Sequence, residues 1–148
     1  MKKIFVSTIL LTAILIGCSK SASKDGLNWE TNLETALQKA KTENKAVLVN
    51  FTGSDWCQWC IKLSDEVFSK SEFADYAEEN LILVKLDFPR SIEQSNETKM
   101  YNNQLAQKYG VQGFPTVLLF NSSGVMVLQT GYQPGGPVAY VDHLKNSL

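Results

Sequence analysis

Basic excess is missing from this 148-residue chain, in which 14 Lys and Arg stand against 15 Asp and Glu for a net charge of −1. A domain that neutralises nucleic-acid phosphates carries a basic face, so no nucleic-acid partner is expected. Histidine is nearly absent, with His143 alone, and the cysteines are Cys18, Cys57 and Cys60. A tetrahedral zinc site needs four ligands, and no second cysteine pair exists to complete one. A c-type haem attachment needs His directly after a CxxC, and Ile61 stands there instead. Long hydrophobic runs are wanting too. The apolar-dominated stretch from Ile4 to Ile16 has thirteen residues, against about 20 for a spanning helix. Repeats and signs of a second domain are also lacking, so one globular domain is expected.

What is present begins with "MKKIFVSTILLTAILIGCSK". Two lysines, a short apolar core and small residues make the n-region, h-region and cleavage zone of a signal peptide. Its end, "LIGC", resembles the lipobox of bacterial lipoproteins, and the resemblance implies cleavage after Gly17 with acylation of Cys18. The expected organisation is a lipoprotein signal peptide over 1–17, a lipid-anchored polar tether over 18–27 and a folded domain over 28–148. Two or more acyl chains anchor stably where one does not. The mature protein is therefore expected on a membrane of the bacterial cell envelope, facing the periplasm or exterior. With Cys18 so used, Cys57 and Cys60 are the thiols left in the domain, and outside the cytosol a close pair can oxidise and persist.

From Trp29 onward, helical and strand patterns alternate. In "TNLETALQKAKTENK", Thr31 and Glu34 have capping-box spacing, and Leu33, Ala36, Leu37 and Ala40 share one helical face. "AVLVNF" (46–51) and "LILVKLDF" (81–88) are near-continuous apolar runs, as in strands covered on both faces. Between them a helix is predicted from Cys57 to Phe68 and another from Ser71 to Glu79, the second opened by a Ser69–Glu72 capping box. The polar stretch 89–104 reads as a solvated loop with a helix in its second half, ending at Gly110. "PTVLLFN" (115–121) and "VMVLQTG" (125–131) flank "SSG" as a hairpin. A last helix has Pro137 in its first turn and Val138, Val141, Leu144 and Leu148 on one face. This order predicts an α/β fold, a three-layer sandwich with helices on both faces of a mixed central sheet.

On a helix, residues three apart project about 60° from one another, so Cys57 and Cys60 face the same side. Ile61, Leu63, Val67 and Phe68 fall in that arc, and Lys62, Asp65 and Glu66 opposite. A disulfide closing so short a loop stabilises little, about 2 kcal/mol in the chain-entropy model against about 4.7 for a hundred-residue loop. The pair is better placed for exchange than for stapling. Unpaired N–H groups and partial positive charge at a helix N-terminus favour the thiolate, the attacking species. Cys57 is thus the expected exposed nucleophile and Cys60 the deeper, resolving thiol. Copper(I) on two thiolates remains an alternative. His143 receives no role, and neither a cofactor nor a resident metal is expected.

"DWCQWC" after "VLVNF", with "YGVQGFPTVLLF" about fifty residues later, resembles the thioredoxin superfamily, and within it the exported bacterial proteins with a WCxWC motif. The resemblance implies that Cys57 and Cys60 are the redox pair and that Trp56 precedes it. It implies that Pro115 is cis, beside the disulfide, with Phe114 offering backbone hydrogen bonds to a substrate chain. Gly131 and Lys85 also match family positions. Two departures stand out: Asn50 replaces the buried carboxylate of classical thioredoxins, and "TGSD" is one residue longer than usual. Trp59, between the cysteines, is a candidate hydrophobic platform for substrate as well as a candidate for plain surface packing.

The activity implied is thiol–disulfide exchange on exported proteins, with reduction favoured and electrons supplied by a membrane partner. Oxidase or isomerase activity and a non-catalytic binding role are the alternatives. Potentials in this superfamily run from about −270 mV to about −120 mV, so the direction of electron flow is not readable from Gln58 and Trp59.

Overall fold

The computed structural model describes residues 26–148; the expectations for residues 1–25, the lipidation of Cys18 among them, lie outside it. Strand β1 (Trp29–Glu30) leads into helix α1 (Leu33–Glu43), strand β2 (Ala46–Thr52), helix α2 (Gln58–Leu63) and a π-helical turn (Ser64–Phe68). Helix α3 (Ser71–Asn80), strand β3 (Leu81–Asp87), helix α4 (Asn96–Lys108), the hairpin β4 (Thr116–Phe120) and β5 (Met126–Thr130), and helix α5 (Gly136–Lys145) follow. The strands lie in the order β1-β3-β2-β4-β5. Pairing is parallel among β1, β3 and β2 and antiparallel from β2 to β4 and β4 to β5. The predicted mixed sheet is this one.

Period-two alternation divides β2 between the two faces. Val47, Val49 and Phe51 pack with Leu33, Ala36 and Ala40 of α1 and Leu105 of α4. Ala46 and Leu48 pack on the other face with Leu63, Val67, Phe68, Phe73, Tyr140 and Leu144, from α2 to α5, and Leu27 and Trp29 lean on this cluster. Both faces are therefore covered, which is why the strand reads as an unbroken apolar run. The C-terminal ends of β2 and β3 and the start of β4 meet at one end of the sheet, where Phe51 pairs with Thr116 and Thr52 with Asp87.

Several local expectations need correction. Asn32, rather than Thr31, caps α1, its Oδ1 accepting the Thr35 N–H at 2.8 Å, while Glu34 accepts the Tyr101 hydroxyl. Two adjacent residues could each cap, and the amide reaches the amide proton three residues on. Ser69 does not cap α3 either; its hydroxyl donates to the Asp65 carbonyl, and Lys70 precedes the helix without a side-chain cap. The long helix predicted from Cys57 to Phe68 starts one residue later and changes to π geometry at Ser64. Ile61 is exposed, unlike Leu63, Val67 and Phe68. In α5 the buried face is Tyr140, Val141 and Leu144, whereas Val138 and Leu148 are exposed.

Candidate active site

The segment "TGSDWC" turns tightly at the end of β2, with the Cys57 N–H donating to the Gly53 carbonyl at 2.9 Å. A Cβ on Gly53 would lie 2.6 Å from the Trp56 indole, so glycine lets that ring lie flat against the turn. Ser54 is tied to Asp87 at the end of β3, where the carboxylate accepts from both its N–H and its hydroxyl.

Cys57 and Cys60 are joined as a disulfide with their Cα atoms 5.2 Å apart, inside the range such bonds require. The spacing is reached because Cys57 is extended (φ −84°, ψ 105°) and sits outside the helix as its N-cap. Its Sγ accepts the Cys60 N–H at 3.2 Å, and the Cys60 Sγ accepts the Gly53 N–H at 3.5 Å. Each sulfur thus faces a backbone donor, and such donation favours the thiolate once the bond is reduced. The expected contrast in exposure is small in this oxidised form, with Cys57 7% and Cys60 4% exposed. The turn and the first helical residues cover both sulfurs; what distinguishes Cys57 is its place at the helix end.

The Phe114–Pro115 peptide is cis, as the resemblance implied. Phe114 brings its ring to 6.0 Å from Trp56 and 4.8 Å from Phe88, so the segment before β4 meets the tryptophan that precedes Cys57. Gly131 passes so close that a Cβ there would meet the Pro115 carbonyl at 2.9 Å, which gives this glycine a packing reason. Trp59 belongs to a separate group. It is 56% exposed and lies against Tyr132, the ring centres 5.2 Å apart and the planes tilted by 44°, with the Lys62 ammonium over both rings. The Tyr132 hydroxyl donates to Glu66 at 2.6 Å, and this bond, ahead of burial, raises the phenol's pKa.

The stretch after β3 is more than a solvated loop. The Trp56 indole N–H donates to the Phe88 carbonyl at 2.8 Å, and the Arg90 guanidinium lies 3.7 Å from the Trp56 ring centre. Asp55 accepts the N–H groups of Arg90 and Ser91, at 2.9 and 2.6 Å. The Arg90 amide first, then the Ser91 amide, hold the Asp55 carboxyl below the ordinary aspartate range. From beneath, the Asn102 amide donates to the Asp87 carbonyl at 2.8 Å. None of these partners was legible beforehand, since each contact joins residues far apart in the chain. The nearest signal was Asp55 itself, an acid beside the motif with no helix to cap.

Among the described residues no group of His, Cys, Asp and Glu is arranged to hold a metal ion. His143 bonds Thr130 on β5 at 3.1 Å. A cavity of about 450 Å³ opens at the other end of the strands, against Lys39, Lys45 and Leu81, and no thiol lines it.

Comparison with known proteins agrees with this geometry. Residues 33–143 match the family model described as a thioredoxin-like domain. The chain is 36% identical over 155 aligned residues to the disulfide bond reductase DsbH of Chlamydia pneumoniae, covering 97% of this chain and 93% of that protein. It is 26% identical to the thioredoxin-related protein DsbJ of the same organism, over 78% of this chain and 34% of the other. A solved structure described as DsbH oxidoreductase superposes with a TM-score of 0.77 at 34% identity, covering 97% of this chain and 94% of that one. With the cysteine pair at the strand-to-helix junction and a cis proline just before β4, the chain belongs to the thioredoxin-like family and is a thiol–disulfide oxidoreductase.

Proposed function

We propose that the protein reduces disulfides of exported proteins in the bacterial cell envelope, with Cys57 attacking and Cys60 resolving. The observation that carries the assignment of roles is the Cys57 sulfur at the N-cap of α2, accepting the Cys60 N–H. In the reduced protein the Cys57 thiolate attacks a substrate disulfide, forming a mixed disulfide and releasing one substrate thiol. Cys60 then attacks the Cys57 sulfur, releases the second substrate thiol and regenerates the Cys57–Cys60 bond. Two electrons pass from the dithiol to the substrate in each turnover.

Trp56, Phe114 and Pro115 form the wall on which a substrate chain lies, and the exposed Trp59 supplies apolar contact on the other side. The reductase direction is supported by the name and extent of the 36% identical relative. Return of the disulfide to the dithiol requires electrons, for which a membrane-embedded donor is the fitting partner. In this reading residues 1–17 are removed, Cys18 is acylated, 18–27 tether the protein, and the domain 28–148 faces the periplasm or exterior.

Cys57→Ser abolishes insulin reduction, and Cys60→Ser stalls at mixed disulfides that can be captured on gels. Activity retained by the Cys57→Ser protein would sink the proposal. A measured reduction potential near the strong-oxidant end, about −120 mV, would replace reductase by oxidase or isomerase.

A further inference from the structure

We infer that Asn50 is a positioning residue for the resolving step, holding a water through which the proton of Cys60 leaves for solvent. The inference rests on Cys60 being the resolving thiol.

Asn50 lies in β2 on the face beneath α2, is 5% exposed, and its Oδ1 has no hydrogen-bond partner among the described residues. A buried acceptor left without a partner costs about 1–3 kcal/mol, and native proteins rarely keep one without a use or a bound water. The same residue lines a cavity of about 120 Å³ with Thr52, Cys60 and Lys85 at its inner wall and Ser54 and Asp65 at its exposed rim. Water takes about 30 Å³ each in the liquid, so the space admits a short chain of them leading outward. Lys85 pairs with Asn50 across the β2–β3 ladder, and its ammonium lies 5.0 Å from the Trp29 ring centre.

The chemistry follows from donor and acceptor types. An amide oxygen only accepts, so a water bound to it donates one proton and turns its lone pairs toward other donors. The Cys60 S–H is the one in the cavity wall that must lose its proton. During resolution that proton passes to the water and on toward the rim as the Cys60 sulfur bonds to the Cys57 sulfur. The bond from Cys57 to the substrate sulfur breaks, and that sulfur leaves with the electron pair and takes up a proton from solvent. The dithiol is oxidised, the substrate disulfide is reduced, and no net proton is gained or lost. An amide does not titrate in this range, so Asn50 itself adds no pH dependence to the step; the charged groups that line the same cavity are Lys85 at its wall and Asp65 at its rim.

Single-turnover reaction of the reduced full-length protein with a disulfide peptide, quenched with acid, separates attack from resolution. Asn50→Leu keeps the branched shape but removes the acceptor. It is expected to slow resolution by about tenfold or more, at the lower reach of acid–base contributions, with mixed disulfide accumulating and the attack rate unchanged. Asn50→Asp keeps an oxygen at the same point and is expected to resolve with a second titration in its pH profile that the native protein lacks. Native resolution in Asn50→Leu, or attack and resolution slowed together, would overturn the inference. If the leucine variant does not fold, Asn50→Asp decides, and a native pH profile there overturns it. Cys60→Ser serves as the control: failure to stall at the mixed disulfide removes the assignment of Cys60, whereas stalling beside a fast Asn50→Leu removes the role of Asn50 alone.

Discussion

Asp55 holds the turn that carries the cysteines to the stretch after β3, through the amides of Arg90 and Ser91. Its carboxyl is depressed in the folded chain, so the stabilisation is present above the unfolded value, about 3.9, and is lost as pH falls through the folded value. Acidification below that point is expected to speed hydrogen exchange at the Arg90 and Ser91 amides. Asp55→Ala should make their exchange fast and remove this acid step, and protection unchanged in that variant would discard the role. Gly131 offers a second test. A methyl group there would press on the Pro115 carbonyl, and Gly131→Ala is expected to lower stability by about 1–3 kcal/mol in urea titration, as overpacking does. The cysteines, Trp56 and Pro115 were legible because motif and chain order mark them. Arg90 and Tyr132 were not, because they reach the site only through folding across tens of residues.

The strands were the most readable elements, since β2 and β3 are buried along nearly their whole length and the burial is written as apolar runs. Helix ends were harder to read. Thr31 and Asn32 are neighbouring cap candidates, and spacing alone does not say which side chain reaches the helix. The π turn after Leu63 was hidden because it shifts the register of the buried face without interrupting it, leaving Val67 and Phe68 inside and Ile61 outside. Phe73 carries α3 into the core cluster with Phe68. Phe73→Ala is expected to cost about 3–5 kcal/mol by removing that ring, read as a lowered urea midpoint. For α4 the expectation is narrower. Asn102→Leu takes one donor from the Asp87 carbonyl, which keeps the Gln94 amide at 3.2 Å, and should cost about 0.5–1.5 kcal/mol, with substrate attack slowed because Asp87 also holds Ser54.

For the chain entire, one sheet brings together parts of the site that begin fifty-odd residues apart in sequence, and the direct β2–β4 pairing makes their meeting obligatory. Among the described residues no helix is long and apolar enough to cross a membrane, so membrane attachment in the proposed reading falls to Cys18. Cys18→Ala is accordingly expected to move the protein from the membrane to the soluble fraction while the isolated domain keeps its thiol activity; an unchanged membrane fraction would count against acylation. The three tryptophans also have an optical consequence. Trp29 lies by Lys85 and Phe68, Trp56 under Arg90, and Trp59 on Tyr132. Single-tryptophan versions of the protein would therefore emit from three different surroundings, so that light alone could time events at the cavity, at the pinned stretch and at the exposed platform within one turnover.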